Sequence, residues 1–147
     1  MAAERRAEVS WSGNLLSGTG RIQFTGSGAI EGLDLTWASR SEPDESGRTS
    51  PEELIAAAHA TCFSMALAGG LARAGHAPTK LETDAQVTLD SVDGGFGITA
   101  IHLTVRGQVD GLDEAGFEQA AKDAKENCPV SKALAAVPKI TLDASLA

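Results

Sequence analysis

The chain has 147 residues, enough for one domain with a substantial hydrophobic core, and we expect a single domain over residues 1–147. Its net charge is −8, from 12 basic and 20 acidic residues, and it contains two Trp, four Phe and no Tyr. An acidic chain with few aromatic rings is poorly suited to bind nucleic acid or an anionic membrane surface, so we expect neither partner.

The sequence predicts a cytoplasmic protein. No apolar segment follows Arg5 and Arg6, so no signal peptide is visible. The longest nearly apolar stretch, Leu54 to Leu71, is interrupted by a histidine, two hydroxyl residues and two glycines, which favours a core helix over a membrane span. Because cytoplasmic thiols are kept reduced, a cysteine pair in such a protein is more often catalytic, redox-active or metal-binding than a structural disulfide.

Three short runs open the chain, at 9–11, 22–24 and 33–37, and in each of them apolar and polar residues alternate. Gly and Ser clusters separate the runs, which predicts a three-stranded antiparallel meander. The polar segment "SRSEPDESGRT" follows without periodicity and predicts a loop that carries Arg40 and Arg48.

The longest helix is predicted to begin at "SPEEL". Ser50 is a favourable N-cap, Pro51 suits the first helical position, and Glu53 completes a capping box with Ser50. Gly75 is expected to end the helix. Apolar residues at helical spacing predict its buried face: Ile55, Ala58, Cys62, Met65 and Gly69.

Glu52 stands beside Glu53 in the first turn of this helix. Capping accounts for Glu53, whereas Glu52 favours the helix dipole but has no other evident task, so it is free for a functional role. Glu52 precedes Cys62 by ten residues, about 15 Å along a straight helix. Direct cooperation would need a bent helix, an intermediary side chain or a second subunit.

The second half of the chain predicts two long strands joined at "DGG", a helix from Asp113 to Asn127 and a last strand at 140–146. "CPVSKAL" begins a short helix, with Cys128 at its N-cap and Pro129 at its first position. The predicted class is α+β, with six largely antiparallel strands packed on the central helix that carries Cys62.

The two cysteines are the first candidates for chemistry. Cys128 opens a helix, where the helix dipole and free N–H groups lower the pKa of a thiol. Cys62 on an apolar face would be an inert core residue unless a cation lies nearby. Residue chemistry alone therefore leaves packing and redox chemistry open for Cys62.

The histidines offer two further alternatives. His59 and Cys62, spaced i, i+3, could bind a metal together with Cys128, but no fourth ligand is evident and we expect no metal. His59 could also act as a base to Cys62 in a hydrolase, although no third group or oxyanion hole is recognisable. We prefer packing or a hydrogen bond to a helix carbonyl for His59, a solvent-facing strand position for His102 and a turn position for His76.

"SPEELIAAAHATCFSMAL" and "NCPVSKAL" closely resemble the two signature segments of the OsmC/Ohr family, the osmotically inducible and organic hydroperoxide resistance proteins. The order of predicted elements agrees, and "AAHA" before Cys62 and Val130 after "CP" resemble the OsmC branch. The resemblance implies an OsmC-like fold and an intertwined homodimer with active sites at the subunit interface. It also implies a thiol peroxidase that needs no metal or organic cofactor.

Carried onto this sequence, the resemblance makes Cys62 the peroxidatic cysteine and Cys128 the resolving one. It places the family's glutamate at Glu52 and its arginine at Arg40 in "WASR". Arg48 is the rival, because the loop over 41–49 must be slightly longer than usual for Arg40 to match. Arg40 would stabilise the Cys62 thiolate, and Glu52 would hold the guanidinium.

The implied reaction reduces an organic hydroperoxide to an alcohol. It passes through a Cys62 sulfenic acid and a disulfide with Cys128, and an external dithiol, lipoyl-type in this family, completes the cycle. The apolar helix face around Cys62 favours organic substrates over hydrogen peroxide. The alternatives are a non-catalytic protein of this fold that binds a small apolar ligand, and a Cys/His metal-binding or hydrolytic protein.

Overall fold

The computed structural model describes residues 1–43 and 47–147, which hold six strands and four helices. The described residues form two compact units, Met1–Leu54 and Ile55–Ala147. The predicted α+β class with six strands is confirmed, and the strands form one three-stranded sheet in each unit.

The N-terminal unit holds the predicted meander. Strands β1 (Ala7–Ser12), β2 (Thr19–Thr25) and β3 (Asp34–Leu35) pair in that order, and both pairings are antiparallel. Arg21 and Asp34 form an ion pair between β2 and β3 at 2.6 Å. The N-terminal sheet therefore follows from the alternation that the sequence shows.

Helix α1 (Trp37–Ser41) corrects two predictions, because Trp37 was assigned to the third strand and Arg40 to a loop. The Thr36 side chain accepts a hydrogen bond from the Ser39 N–H, and the Ser39 hydroxyl accepts one from the Thr36 N–H, each at 3.0 Å. This capping box stabilises one helical turn inside a polar segment without apolar periodicity. Residues 44–46 of the predicted 41–49 loop lie outside the described residues.

Helix α2 (Pro51–Arg73) begins and ends as predicted. The Glu53 N–H donates to Ser50 Oγ at 3.1 Å, which is the Ser50 half of the predicted capping box. The Glu53 half differs from the prediction, because its carboxylate accepts from the Thr49 hydroxyl at 2.6 Å and not from the Ser50 N–H. At the other end Gly75 has a φ of +87°, and the His76 N–H donates to the Leu71 carbonyl at 2.9 Å. This left-handed ending needs glycine, because other residues are strained at that φ.

The predicted buried face of α2 is wrong. Met65 is 71% exposed, Ala58 is exposed, and Cys62 is partly buried. The helix is apolar on all sides, so the spacing of apolar residues along the sequence does not select its interior face. By length and composition α2 could also cross a membrane, a test that core helices pass as well. The face that is buried carries His59, Phe63, Leu67 and Leu71.

The C-terminal unit contains the long hairpin of β4 (Lys80–Val92) and β5 (Gly95–Gln108), which turns at Asp93 and Gly94 as predicted. Strand β6 (Lys139–Leu146) lies beside β5 and is parallel to it, whereas the three other strand pairings are antiparallel. The prediction of a largely antiparallel fold is thus confirmed.

Two more helices complete this unit: α3 (Glu114–Asn127) and α4 (Pro129–Ala133). The Asp113 carboxylate caps α3 by accepting the Gly116 N–H at 2.8 Å. The buried core joins α2, β5 and α3 through Phe63, Leu67, Leu71, Leu103, Val105, Phe117, Ala121, Ala124 and Cys128.

Gly107 on β5 provides a test of this core. A methyl group on Gly107 would lie 2.5 Å from Phe117 Cζ, and the Phe117 ring is fully buried. We expect Gly107→Ala to lower the free energy of unfolding by about 1–3 kcal/mol, measured by urea denaturation. The matched control is Gly97→Ala on the same strand, where the nearest atoms lie at 3.4 Å. Equal denaturation midpoints for the two variants would contradict this packing.

Candidate active site

The C-terminal unit brings the two cysteines together. Cys62 lies on α2 and Cys128 at the junction of α3 and α4, and both thiols are free. Their side chains are within hydrogen-bonding reach of one another. Cys128 is fully buried in the core, whereas Cys62 is partly exposed. Two thiols 66 residues apart in the chain are thus neighbours in the fold.

Pro129 fixes the position of Cys128. A residue before proline disfavours helical backbone angles, and Cys128 accordingly has φ −59° and ψ 122°. Its N–H donates to the Ala124 carbonyl at 2.8 Å and ends α3, while its carbonyl accepts from the Lys132 N–H at 3.0 Å and opens α4. The break between the helices therefore occurs at the residue that carries the thiol.

The two thiols differ in acidity. Burial raises the pKa of Cys62, which the Val130 N–H partly offsets and the Cys128 side chain reinforces. Burial acts in the same direction on Cys128, but hydrogen bonds from the Ser131 N–H, the Cys62 thiol and the Ser131 hydroxyl together lower its pKa below the ordinary value. Within the reduced pair, Cys128 is thus the better thiolate and Cys62 the hydrogen-bond donor.

His59 makes a second link between α2 and α4. Its Nε2 lies 2.6 Å from Ser131 Oγ, and the imidazole is fully buried. Burial lowers the pKa of His59, and Lys125 lowers it further, so the ring is neutral. Nδ1 has no hydrogen-bond partner among the described residues. The predicted packing role is confirmed, but the partner is a serine 72 positions away and not a helix carbonyl.

The N-terminal unit pairs Arg40 with Glu52 as predicted. Arg40 Nε lies 3.0 Å from Oε1 and 3.2 Å from Oε2 of Glu52, and Arg40 Nη2 lies 2.8 Å from Oε1. Glu52 is 7% exposed, while about a third of the Arg40 side chain faces solvent. The Trp37 ring centre lies 6.0 Å from Arg40 Cζ. A buried carboxylate in a two-point contact fixes the orientation of the guanidinium.

An apolar pocket of about 320 Å³ adjoins Arg40 in the N-terminal unit. Arg40 is the one charged group among its described lining residues. A cavity of this size accommodates a small alkyl or aryl group beside a cation. The large apolar side chains that line it are Val9, Trp11, Leu15, Ile22, Leu35, Trp37 and Leu54.

The model of the OsmC-like protein family matches residues 43–143, which is more than half of the chain. The chain belongs to the OsmC-like family. This match covers Glu52 and both cysteines, while Arg40 lies just before it.

Individual members agree with this assignment. The chain is 42% identical over 146 residues to peroxiredoxin OsmC of Escherichia coli strain K12, and the match covers 99% of each sequence. The crystal structure of the organic hydroperoxide resistance protein OhrB of Bacillus subtilis matches with a TM-score of 0.69 and 26% identity, over 97% of this chain and 98% of that one. An organic hydroperoxide resistance protein from Elizabethkingia anophelis matches with a TM-score of 0.76 over 100% of both chains; at 20% identity it supports the fold alone. The predicted OsmC-like fold is confirmed.

The other predicted histidines have ordinary partners in this OsmC-like chain. His102 lies on β5, where Nδ1 is 2.6 Å from Thr141 Oγ1 and Nε2 is 3.2 Å from Asp143 Oδ2. His76 Nδ1 lies 3.2 Å from the Asp110 carbonyl. Within residues 1–43 and 47–147, no group of three or more His, Cys, Asp or Glu side chains could hold a metal ion. The described residues therefore supply no ligand set for the metal-binding alternative.

Proposed function

We propose that this chain is a thiol-dependent peroxidase that reduces organic hydroperoxides to alcohols. The contact between Cys62 and Cys128 carries the proposal, because a dithiol pair can give up two electrons by forming a disulfide. Similarity to a peroxiredoxin and to organic hydroperoxide resistance proteins supports it. The family match crosses both compact units, which supports one OsmC-like domain over residues 1–147.

Cys62 is the proposed peroxidatic residue and Cys128 the resolving one. Cys62 is partly exposed, whereas a fully buried Cys128 is shielded from substrate. The Cys62 thiolate attacks the outer peroxide oxygen, the O–O bond breaks, and the alkoxide takes a proton and leaves as the alcohol. The Cys128 thiolate then attacks the Cys62 sulfenic sulfur, and water leaves as the disulfide forms.

Arg40 is the proposed stabiliser of the Cys62 thiolate and of the negative charge that develops on the leaving oxygen. Burial raises the pKa of Cys62, so a reactive thiolate needs a cation that favours it. Glu52 is the proposed orienting residue, and its two-point contact with Arg40 supports the assignment to Arg40 over Arg48.

The functional form is proposed to be an intertwined homodimer. Large apolar side chains are exposed in both units, and association with a second copy would remove such side chains from water. Sedimentation velocity is expected to give a dimer at micromolar concentration, and a monomer would contradict the proposal. The exposed residues include Val9 at 58%, Leu16 at 77%, Met65 at 71% and Phe96 at 57%.

An external dithiol, lipoyl-type by family resemblance, is the proposed reductant. It supplies the two electrons of each cycle, so the chemistry needs no metal or organic cofactor. The cytoplasm, where thiols are kept reduced, is the proposed location, with neither nucleic acid nor membrane as partner.

Substrate preference tests the proposed function. A tertiary aryl-alkyl hydroperoxide is expected to oxidise reduced protein about 100-fold faster than hydrogen peroxide does, because removing about four carbons of its organic group from water contributes about 3 kcal/mol. Stopped-flow measurement of both second-order rate constants makes the comparison, with free cysteine as the control. Equal rate constants would contradict an organic substrate. If Cys62 is oxidised with a rate constant no larger than that of free cysteine, the non-catalytic, ligand-binding alternative would be favoured.

A further inference from the structure

Helices α2 and α4 face each other through two matched pairs of side chains. His59 and Cys62 are three residues apart on α2, and Cys128 and Ser131 are three residues apart around the start of α4. At this spacing the members of each pair share a face of the local backbone turn. Cys62 contacts Cys128, and His59 contacts Ser131, so the buried polar contact lies alongside the thiol contact.

The protons of the second pair can be assigned from the contacts. A neutral imidazole carries one proton, either on Nε2 or on Nδ1. With the proton on Nδ1, a buried N–H would have no acceptor among the described residues, which is rarer in proteins than an unused acceptor. The proton therefore belongs on Nε2, which donates to Ser131 Oγ over 2.6 Å. The single Ser131 hydroxyl proton is then available to its other neighbour, the Cys128 sulfur.

We propose that Ser131 and His59 make Cys128 the leaving group when the Cys62–Cys128 disulfide is reduced. Ser131 donates its hydroxyl proton in a hydrogen bond to the Cys128 sulfur, and His59 is a positioning residue that holds this hydroxyl in place. The exposure of the two sulfurs agrees with attack of the reductant at Cys62, because Cys62 is partly exposed and Cys128 is fully buried. The inference rests on the proposed function and assigns the order of its re-reduction step.

The step balances as a thiol–disulfide exchange. One thiolate of the external dithiol attacks Cys62 Sγ, the bond between Cys62 and Cys128 breaks, and Cys128 leaves with the electron pair as a thiolate. The second thiol of the reductant, once deprotonated, attacks the reductant sulfur that is bonded to Cys62. The bond between that sulfur and Cys62 breaks, and Cys62 leaves as a thiolate. The reductant loses two electrons and becomes a cyclic disulfide, while both cysteines are reduced. A leaving thiol of lower pKa departs faster, which is what the Ser131 hydrogen bond provides.

The location of the mixed disulfide tests the direction of attack. The Cys62–Cys128 disulfide is first made with diamide, so that no hydroperoxide is involved and a failed peroxidase function cannot be mistaken for a failed inference. The oxidised protein is treated with excess 2-mercaptoethanol, a monothiol, and quenched with N-ethylmaleimide, which blocks the released cysteine before it can expel the adduct. The product is then mapped by peptide mass spectrometry. The adduct is expected on the peptide that contains Cys62. An adduct on the Cys128 peptide would overturn the proposal.

The acidity of Cys128 tests Ser131. The thiolate absorbance of Cys128 is titrated with pH in a Cys62→Ser background. This substitution removes the other thiol and leaves two titratable neighbours, His59, which contacts Ser131, and Lys125, which acts on His59. Ser131→Ala is expected to raise the titration midpoint by about one unit, the tenfold effect of losing one hydrogen bond to a charged atom. Reduction of the diamide-formed disulfide is expected to slow in Ser131→Ala protein that retains Cys62.

Ser64→Ala is the matched control. Ser64 Oγ lies 2.7 Å from Thr83 Oγ1 and is likewise on α2, so the variant removes a comparable hydrogen bond elsewhere. If the midpoint shifts no more in Ser131→Ala than in Ser64→Ala, the His59–Ser131 contact does not affect the acidity of Cys128. That result would overturn the proposal.

Two variants of His59 distinguish a residue that positions the Ser131 hydroxyl from one that only fills space. They also test the proposal if Ser131→Ala does not fold. His59→Gln keeps an N–H donor near the position of Nε2, and His59→Leu keeps bulk without the donor. The midpoint is expected to stay close to that of the parent in His59→Gln and to rise in His59→Leu. Equal midpoints in the two variants would overturn the positioning role.

Discussion

Cys62→Ser is expected to reduce hydroperoxide turnover to less than about a thousandth of the parent rate, because it removes the attacking sulfur. Cys128→Ser is expected to retain one round of reduction and then stop. Without Cys128 no disulfide forms, and Cys62 remains as a sulfenic acid. Steady-state turnover and single-turnover alcohol formation, measured on both variants, give the comparison.

Both substitutions keep side-chain size, and circular dichroism checks that each variant retains the fold. The Cys128→Ser protein should gain the mass of one oxygen after one equivalent of hydroperoxide and should react with a sulfenic acid trap. Substantial turnover by Cys62→Ser would contradict the assignment of Cys62 and would move the peroxidatic role to Cys128.

Arg40→Ala is expected to lower the second-order rate constant for oxidation of Cys62 by about 10²–10³-fold, the effect of losing one preorganised group that stabilises developing charge. The Arg40 guanidinium is held by Glu52 through contacts of 2.8 to 3.2 Å, so its position is fixed before substrate binds. Glu52→Gln should have a smaller effect, about tenfold, because the guanidinium remains but loses a charged anchor. Stopped-flow oxidation with one alkyl hydroperoxide measures all three proteins.

Arg48→Ala is the matched control, since Arg48 was the rival arginine and stands eight residues after Arg40. We expect its rate constant to stay within about twofold of the parent. A large loss in Arg48→Ala together with parental rates in Arg40→Ala would reverse the assignment.

Stability has to be measured beside these rates. Arg40→Ala leaves the 7% exposed Glu52 without its cation, and an unpaired buried charge is destabilising. The penalty is reduced here because about a third of the Arg40 side chain faces solvent. Glu52→Gln removes the charge and avoids this penalty, so Arg40→Ala and Glu52→Gln should differ in stability. A slower oxidation of Cys62 in both variants would then reflect the loss of the oriented guanidinium and not a loss of stability.

The sequence predicted those parts of the fold that depend on neighbouring residues. The cap at Ser50, the glycine ending at Gly75 and the break before Pro129 all depend on contacts within a few residues, and each is present. Helix α1 was missed because one helical turn held by Thr36 and Ser39 has no apolar period.

Longer-range features were predicted less well, for physical reasons. The interior face of α2 could not be selected from a helix that is apolar all round, and the choice depends on which side chains find partners in β5 and α3. The contact between His59 and Ser131 joins residues 72 positions apart, and no local pattern signals it. Capping by Glu53 left Glu52 free for function, whereas both Arg40 and its pairing with Glu52 came from family resemblance.

The most direct test of a redox pair at Cys62 and Cys128 is a single oxidation. Reduced protein is mixed with one equivalent of an alkyl hydroperoxide and quenched with acid within seconds, and its mass and free thiols are determined. We expect both thiols to disappear, the mass to fall by two hydrogen atoms and peptide mapping to give one Cys62–Cys128 disulfide. Survival of both thiols would contradict the account and leave Cys62 as a packing residue.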